Sequence, residues 1–193
     1  MNRFPEHSRS NEVGTVAVTH EIHRMTVDEY VRAVRDFGWE STELVEGVVY
    51  DVSPEYNRHR RTVMHLLRLL DAACPDLEAS VVGSVRLPTT SMFDPDVFLI
   101  DPTIELDDED AVPVDAVRLA VEVSVTTQAH DRGPKLIAYA KAGVPEVWLI
   151  DPRPGVGELL RHRDPDGASY RTVDRFEIGE NAVDLDIATI LSR

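Results

Sequence analysis

The apolar residues of the chain recur with two different periods, and these periods predict a series of helices and strands. The stretch TVDEYVRAVRDFGW has helical spacing, and Thr26 followed by Glu29 forms a capping-box pattern at its start. A second helix is predicted over about 56–74 and ends at Pro75. Its apolar stripe consists of Val63, Leu66, Leu67 and Leu70.

Shorter segments alternate apolar and polar residues, which is typical of strands. Two of them flank Glu46 and Gly47 in ELVEGVVYDVS, so a hairpin turn is predicted there. The other predicted strands are ASVVGSVRLP, FDPDVFLID, LAVEVSV, PEVWLID, GELLRHRD and ASYRTVDRFEI, and DLDIATILSR is predicted to be a terminal helix. Residues 1–24 show no sustained period and are predicted to be a flexible arm, which leaves 25–193 as a single domain.

The order of three central elements predicts how the strands are arranged. A strand over 117–125, a helix over 134–142 and a strand over 146–151 form one strand-helix-strand crossover, which usually joins two parallel strands. Hairpins before and after this crossover add antiparallel strands. The pattern therefore predicts one α/β domain with a mixed β-sheet that is covered by helices on both faces.

Composition and charge narrow the classes of function. Of the 193 residues, 42% are hydrophobic and 28% are charged, as in an ordinary globular domain. The net charge of -15 repels polyanions at long range, which counts against a tight, non-specific nucleic-acid binder. No segment is apolar enough for a membrane helix, and Cys74 is the single cysteine, so a cytoplasmic location is expected and no membrane partner.

One basic segment contrasts with this acidic background. The stretch NRHRRTVMHLLRLL carries Arg58, Arg60 and Arg61 near its start and contains no acidic residue. One interpretation is an ordinary solvated helix face, and the other is a surface that binds the phosphates of a nucleic acid. The residues alone leave both interpretations open.

Three acidic residues, Glu43, Asp96 and Glu122, lie in or beside predicted strands rather than in loops. Glu122 is flanked by valines, and a buried carboxylate is costly unless a cation, a strong donor or water accompanies it. If the strand at Asp96 pairs with the strand at Glu122, the two carboxylates can meet on one side of the sheet. Because adjacent carboxylates repel each other, a hard divalent ion such as Mg²⁺ would fit between them.

Lys135 lies in the first turn of the helix that follows the Glu122 strand, so its long side chain could return toward the acids. The alternative is a surface lysine near the start of a helix. Tyr139, one helical turn further, is expected to pack in the core. His59 and His65 are six residues apart and share a helix face poorly, so a histidine-based metal site is not expected.

These motifs also carry a family resemblance. The segment FDPDV followed by VEVS resembles the core of PD-(D/E)XK nucleases. The wider pattern is similar to a bacterial "putative restriction endonuclease" family that was long described as a domain of unknown function. The pattern comprises ELVEG, the histidine that opens the second helix (His59), PDV, VEVS, DRGPKLIAYAKAGVPEVWLIDP and the closing leucine-rich helix, and it runs from about Thr26 to the C-terminus.

The resemblance implies a three-layer α/β/α restriction-endonuclease-like core that uses Mg²⁺, with Mn²⁺ as a substitute, to hydrolyse DNA. Asp96 and Glu122 would bind the metal, and Glu43 would be a further catalytic acid. Ser124 stands where the superfamily's Glu-X-Lys triplet has its lysine. In relatives with this departure the next helix supplies the catalytic lysine, and Lys135 matches that position.

Two hypotheses about function follow. In the first, the protein is a Mg²⁺-dependent endonuclease that acts on DNA, and a homodimer is expected by analogy because cutting two strands calls for two sites. In the second, a nuclease-fold protein has lost its chemistry and binds nucleic acid or another protein. Ser124 and the acidic net charge favour the second hypothesis.

Overall fold

The computed structural model describes residues 23–39, 41–52, 57–88, 90–106, 111–124, 131–178 and 190–191. Most of the predicted N-terminal arm and most of the predicted terminal helix lie outside the described residues. Among the described helices, none is long and apolar enough to cross a membrane.

The first three predicted helices form close to the positions that the sequence signals give them. α1 spans Val27–Phe37, and its capping box is present, since Thr26 Oγ1 accepts from Glu29 N at 3.2 Å and Glu29 Oε2 accepts from Thr26 N at 2.8 Å. α2 spans Asn57–Ala73. α3 spans Leu136–Lys141 and follows a π-helical turn at Asp131–Lys135 that contains Pro134.

Eleven strands are formed by the described residues. They are β1 (Thr42–Val45), β2 (Val48–Asp51), β3 (Glu78–Ser80), β4 (Val85–Leu87), β5 (Ser91–Phe93), β6 (Val97–Ile100), β7 (Val112–Pro113), β8 (Val117–Val123), β9 (Glu146–Asp151), β10 (Glu158–Asp166) and β11 (Ser169–Glu177). Two predicted strands are interrupted. Gly83, with φ of 120°, separates β3 from β4, and Pro95, which cannot donate a backbone hydrogen bond, separates β5 from β6.

The described strands form two sheets rather than the single sheet expected from the sequence. The larger sheet has the order β11-β10-β9-β8-β6-β3, and β8 and β9 run parallel, which confirms the predicted crossover. The smaller sheet has the order β2-β1-β5-β4-β7. The breaks at Gly83 and Pro95 explain the difference. On one side of each break the chain joins the larger sheet, as β3 and β6, and on the other side it joins the smaller sheet, as β4 and β5.

The two faces of the larger sheet are covered by different elements. α2 packs on one face, where Leu66 and Leu70 join a cluster with Val121 and Val123. α3 and residues of the smaller sheet pack on the other face. Because neighbouring strand residues point to opposite faces, Glu122 points to the face that α3 covers. This layered α/β/α arrangement with a mixed sheet confirms the predicted fold class.

Candidate functional site

Two of the predicted acids lie at one end of the pair formed by β6 and β8, one directly before β6 and the other in β8. These strands are antiparallel, with Val97 opposite Val121, so Asp96 lies beside Glu122. Oδ2 of Asp96 accepts a hydrogen bond from the backbone N–H of Val123 at 2.6 Å. The strand pairing on which the predicted carboxylate pair depends is therefore present.

Glu122 is 4% exposed, and its carboxylate has the partners that burial requires. Oε1 accepts a hydrogen bond from the Tyr139 hydroxyl at 2.7 Å, and Oε2 accepts one from Lys135 Nζ at 3.2 Å. Tyr139 packs edge-on against Phe93, as expected for a core residue, but it also has this polar contact, which the sequence did not reveal. Burial and the nearby Glu122 raise the pKa of Tyr139 well above its usual value, so its hydroxyl remains a donor at neutral pH.

Lys135 is buried and lies between two acids. Its Nζ is 2.9 Å from Oε1 of Glu43 and 3.2 Å from Oε2 of Glu122, and it lies 5.3 Å from the centre of the Phe93 ring. The alternative of a surface lysine is wrong, because Lys135 is only 4% exposed. Lys135 lies in the π-helical turn that precedes α3, and from there its side chain reaches both acids.

Glu43 comes to the site from β1 of the smaller sheet. Besides Lys135, its Oε1 accepts a hydrogen bond from the backbone N–H of Asp94 at 3.3 Å. Burial raises the pKa of Glu43, and the Lys135 ammonium opposes this effect without cancelling it. The site therefore contains a carboxyl group that holds its proton more tightly than an exposed glutamate does.

His59, in the first turn of α2, is a further member of the site. Its Nε2 lies 2.9 Å from Oδ1 of Asp96, and the two side chains are only 11% and 18% exposed. As a possible metal ligand His59 was weighed only together with His65, on the same helix, whereas its partner Asp96 lies beside a strand. The available signals were its place at the start of a helix next to the arginines and its part in the family pattern.

Three of the four arginines of the basic segment, Arg58, Arg60 and Arg61, are exposed on the first two turns of α2. His59 lies among these arginines, so they are carried by the same end of α2 that contacts Asp96.

The side chains of this site offer oxygen ligands, which are the ligands that a hard divalent cation prefers. Asp96, Glu122 and Glu43 offer carboxylate oxygens in a largely buried place, and Lys135 supplies one compensating positive charge. Within the part of the chain that the structure describes, no three His, Cys, Asp or Glu side chains are grouped as a metal site. In the arrangement seen, Lys135 contacts Glu43 and Glu122, and His59 contacts Asp96.

Comparisons with known proteins agree with this fold. A family model described as "Uma2: Putative restriction endonuclease" matches residues 27–188. The chain is also similar to a solved structure described as a putative nuclease belonging to DUF820 from Anabaena variabilis ATCC 29413. The identity is 17%, the TM-score is 0.61, and the match covers 79% of this chain and 84% of that chain, which shows a shared fold. No curated protein matches the sequence.

Proposed function

The chain belongs to the Uma2 family of putative restriction endonucleases, and from this premise we propose that it is a metal-dependent endonuclease that hydrolyses phosphodiester bonds in DNA. One observation carries the proposal. Asp96 and Glu122 lie side by side on paired strands, and a buried lysine contacts Glu122 although Ser124 occupies the usual lysine position. The two acids and the ammonium group that are expected of the family are thus present, but the ammonium comes from the turn before α3 instead of from β8.

Asp96 and Glu122 are the residues that would hold Mg²⁺, or Mn²⁺ in its place, because both offer carboxylate oxygens at the end of the strand pair. Such an ion makes water a stronger acid and stabilises negative charge on a phosphate.

The other side chains have roles that follow from their contacts. The Lys135 ammonium is held between two carboxylates, so it is positioned to orient the attacking water or to neutralise charge that develops on the phosphate. Glu43, whose pKa is raised by burial, is suited to accept a proton during the reaction.

The DNA backbone is proposed to lie along the start of α2. Arg58, Arg60 and Arg61 are exposed there, and three lost phosphate contacts would each lower the salt dependence of binding by about 0.9 log units of slope. The measurement is DNA affinity across a salt series for the triple alanine variant, with Arg68→Ala, two turns further along α2, as the matched control. A triple variant that keeps the wild-type slope would make the basic segment an ordinary solvated face.

A second candidate function is a nuclease-fold module that binds nucleic acid or protein without cleaving it. The observation that favours it is Ser124 in place of the motif lysine, together with the acidic net charge of -15. Nicking of supercoiled plasmid separates the two functions. Nicking in Mg²⁺ that EDTA abolishes supports the endonuclease, whereas DNA binding without nicking in Mg²⁺ or Mn²⁺ supports the module. A homodimer and a cytoplasmic location remain proposals, and sedimentation of the purified protein tests the former.

A further inference from the structure

The histidine at the start of α2 contacts a proposed metal ligand directly. Nε2 of His59 lies 2.9 Å from Oδ1 of Asp96, and the backbone N–H of Val123 donates to Oδ2 of the same carboxylate at 2.6 Å. Because an ionised carboxylate only accepts hydrogen bonds, the hydrogen of the first contact belongs to Nε2. The two oxygens of Asp96 are thus held from two different elements, a helix and a strand.

Holding both oxygens defines the plane in which the carboxylate lies. Each carboxylate oxygen has about two lone-pair directions, so an oxygen that accepts one hydrogen bond can also bind a cation. Side chains that bind metals are commonly oriented in this way by an outer hydrogen-bond partner. We propose that His59 is a positioning residue that orients Asp96 for divalent-cation binding, an inference that rests on the proposed function.

A role in attaching α2 to the sheet explains the contact less well. α2 is attached by its apolar face, where Val63, Leu66 and Leu70 pack into the cluster on that side of the sheet. His59 lies at the end of this face and makes a polar contact with a largely buried carboxylate. Apolar packing can attach α2 to the sheet whatever the orientation of the Asp96 carboxylate. A metal ligand, in contrast, must have a defined orientation.

The test is calorimetric titration of Mn²⁺ into the wild type and three variants. His59→Leu removes the donor, His59→Gln returns an N–H donor on a side chain of similar reach, and His65→Leu is a matched control on the same helix. We expect His59→Leu to weaken Mn²⁺ binding by about 10–100-fold, as is typical for the loss of an outer hydrogen-bond partner. His59→Gln should recover most of the affinity, and His65→Leu should bind like the wild type.

Melting temperatures without metal, measured in parallel, separate positioning from a purely structural role. A structural role would lower the melting temperature of His59→Leu and leave its Mn²⁺ affinity unchanged, and this result would overturn the inference. Equal losses of affinity in the leucine and glutamine variants would also overturn it, because the donor would then not matter. If the wild type binds no Mn²⁺, both the positioning role of His59 and the proposed metal site are wrong. Mn²⁺ binding that depends on His59, without any DNA cleavage, contradicts only the endonuclease function.

Discussion

Replacing Lys135 by methionine should destabilise the protein strongly, because it removes the ammonium and keeps a side chain of similar length. Nζ contacts Glu43 and Glu122 at 2.9 and 3.2 Å, and the three side chains are 5%, 8% and 4% exposed. Removing one partner of a buried ion pair leaves uncompensated buried charge and costs about 3–5 kcal/mol of unfolding free energy. At roughly 2–4 °C per kcal/mol for a chain of this length, the melting temperature should fall by about 6–20 °C.

Lys141→Met is the matched control, since Lys141 lies at the end of α3 and pairs with Glu46 in an exposed contact, where the two side chains are 48% and 32% exposed. Exposed pairs contribute about 0–1 kcal/mol, so the control should lose little stability. The assay is urea and thermal unfolding in EDTA at neutral pH. Adding Glu43→Gln to Lys135→Met should recover part of the loss, because one of the two uncompensated acids is then neutral. Equal small losses in the two methionine variants would refute the reasoning.

Two further predictions concern the groups around this lysine. Tyr139→Phe should cost about 1.5–3 kcal/mol of unfolding free energy, because the lost hydroxyl donates to the carboxylate of Glu122. The control Tyr170→Phe loses a hydrogen bond to a neutral carbonyl and should cost about 0.5–1.5 kcal/mol. Urea unfolding measures both costs, and a smaller cost at Tyr139 than at Tyr170 would contradict the contact with Glu122. The pKa of Glu43 is raised above its ordinary value of 4.5, so the native state binds the proton of this carboxyl group more tightly than the unfolded state does. The stability that this protonation contributes is therefore present at pH below 4.5 and is lost as the pH rises through the native pKa. Glu43→Gln should lack this loss in unfolding measured across pH, and an unchanged pH profile would exclude the raised pKa.

The sequence predicted those parts of the site that depend on local periodicity. The alternation of strand faces predicted that Asp96 and Glu122 would share one side of the sheet if their strands paired, and the structure shows that the strands do pair. For Lys135 the sequence left two interpretations open, a lysine that returns toward the acids and a surface lysine, and its exposure of only 4% decides between them. The contact between Glu43 and Lys135 joins the smaller sheet to the helix after β8, and no local pattern in the chain encodes that distance.

The lack of any local signal for long-range contacts also explains why the contacts of His59 and Tyr139 were not predicted. His59 contacts Asp96 across the junction of a helix and a strand, and the contact of Tyr139 with Glu122 depends on how α3 packs on the sheet. Helical and strand periods assign a residue to a face, but they do not identify the partner that the face meets. The division into two sheets was missed for a related reason, since the breaks at Gly83 and Pro95 redirect the chain without changing its apolar pattern.

The rate at which Glu122→Gln nicks supercoiled plasmid in Mg²⁺, compared with the wild type, tests the central claim most directly. This substitution keeps the size of the side chain and removes the charge that would hold the cation. Asp115→Asn, an exposed acid on the turn before β8, serves as the control. If Glu122 binds the catalytic cation, Glu122→Gln should nick at least about 100-fold more slowly, because a lost metal ligand removes several kcal/mol of transition-state stabilisation, while the control keeps the wild-type rate. Nicking by folded Glu122→Gln at the wild-type rate would contradict the claim that this site performs the reaction.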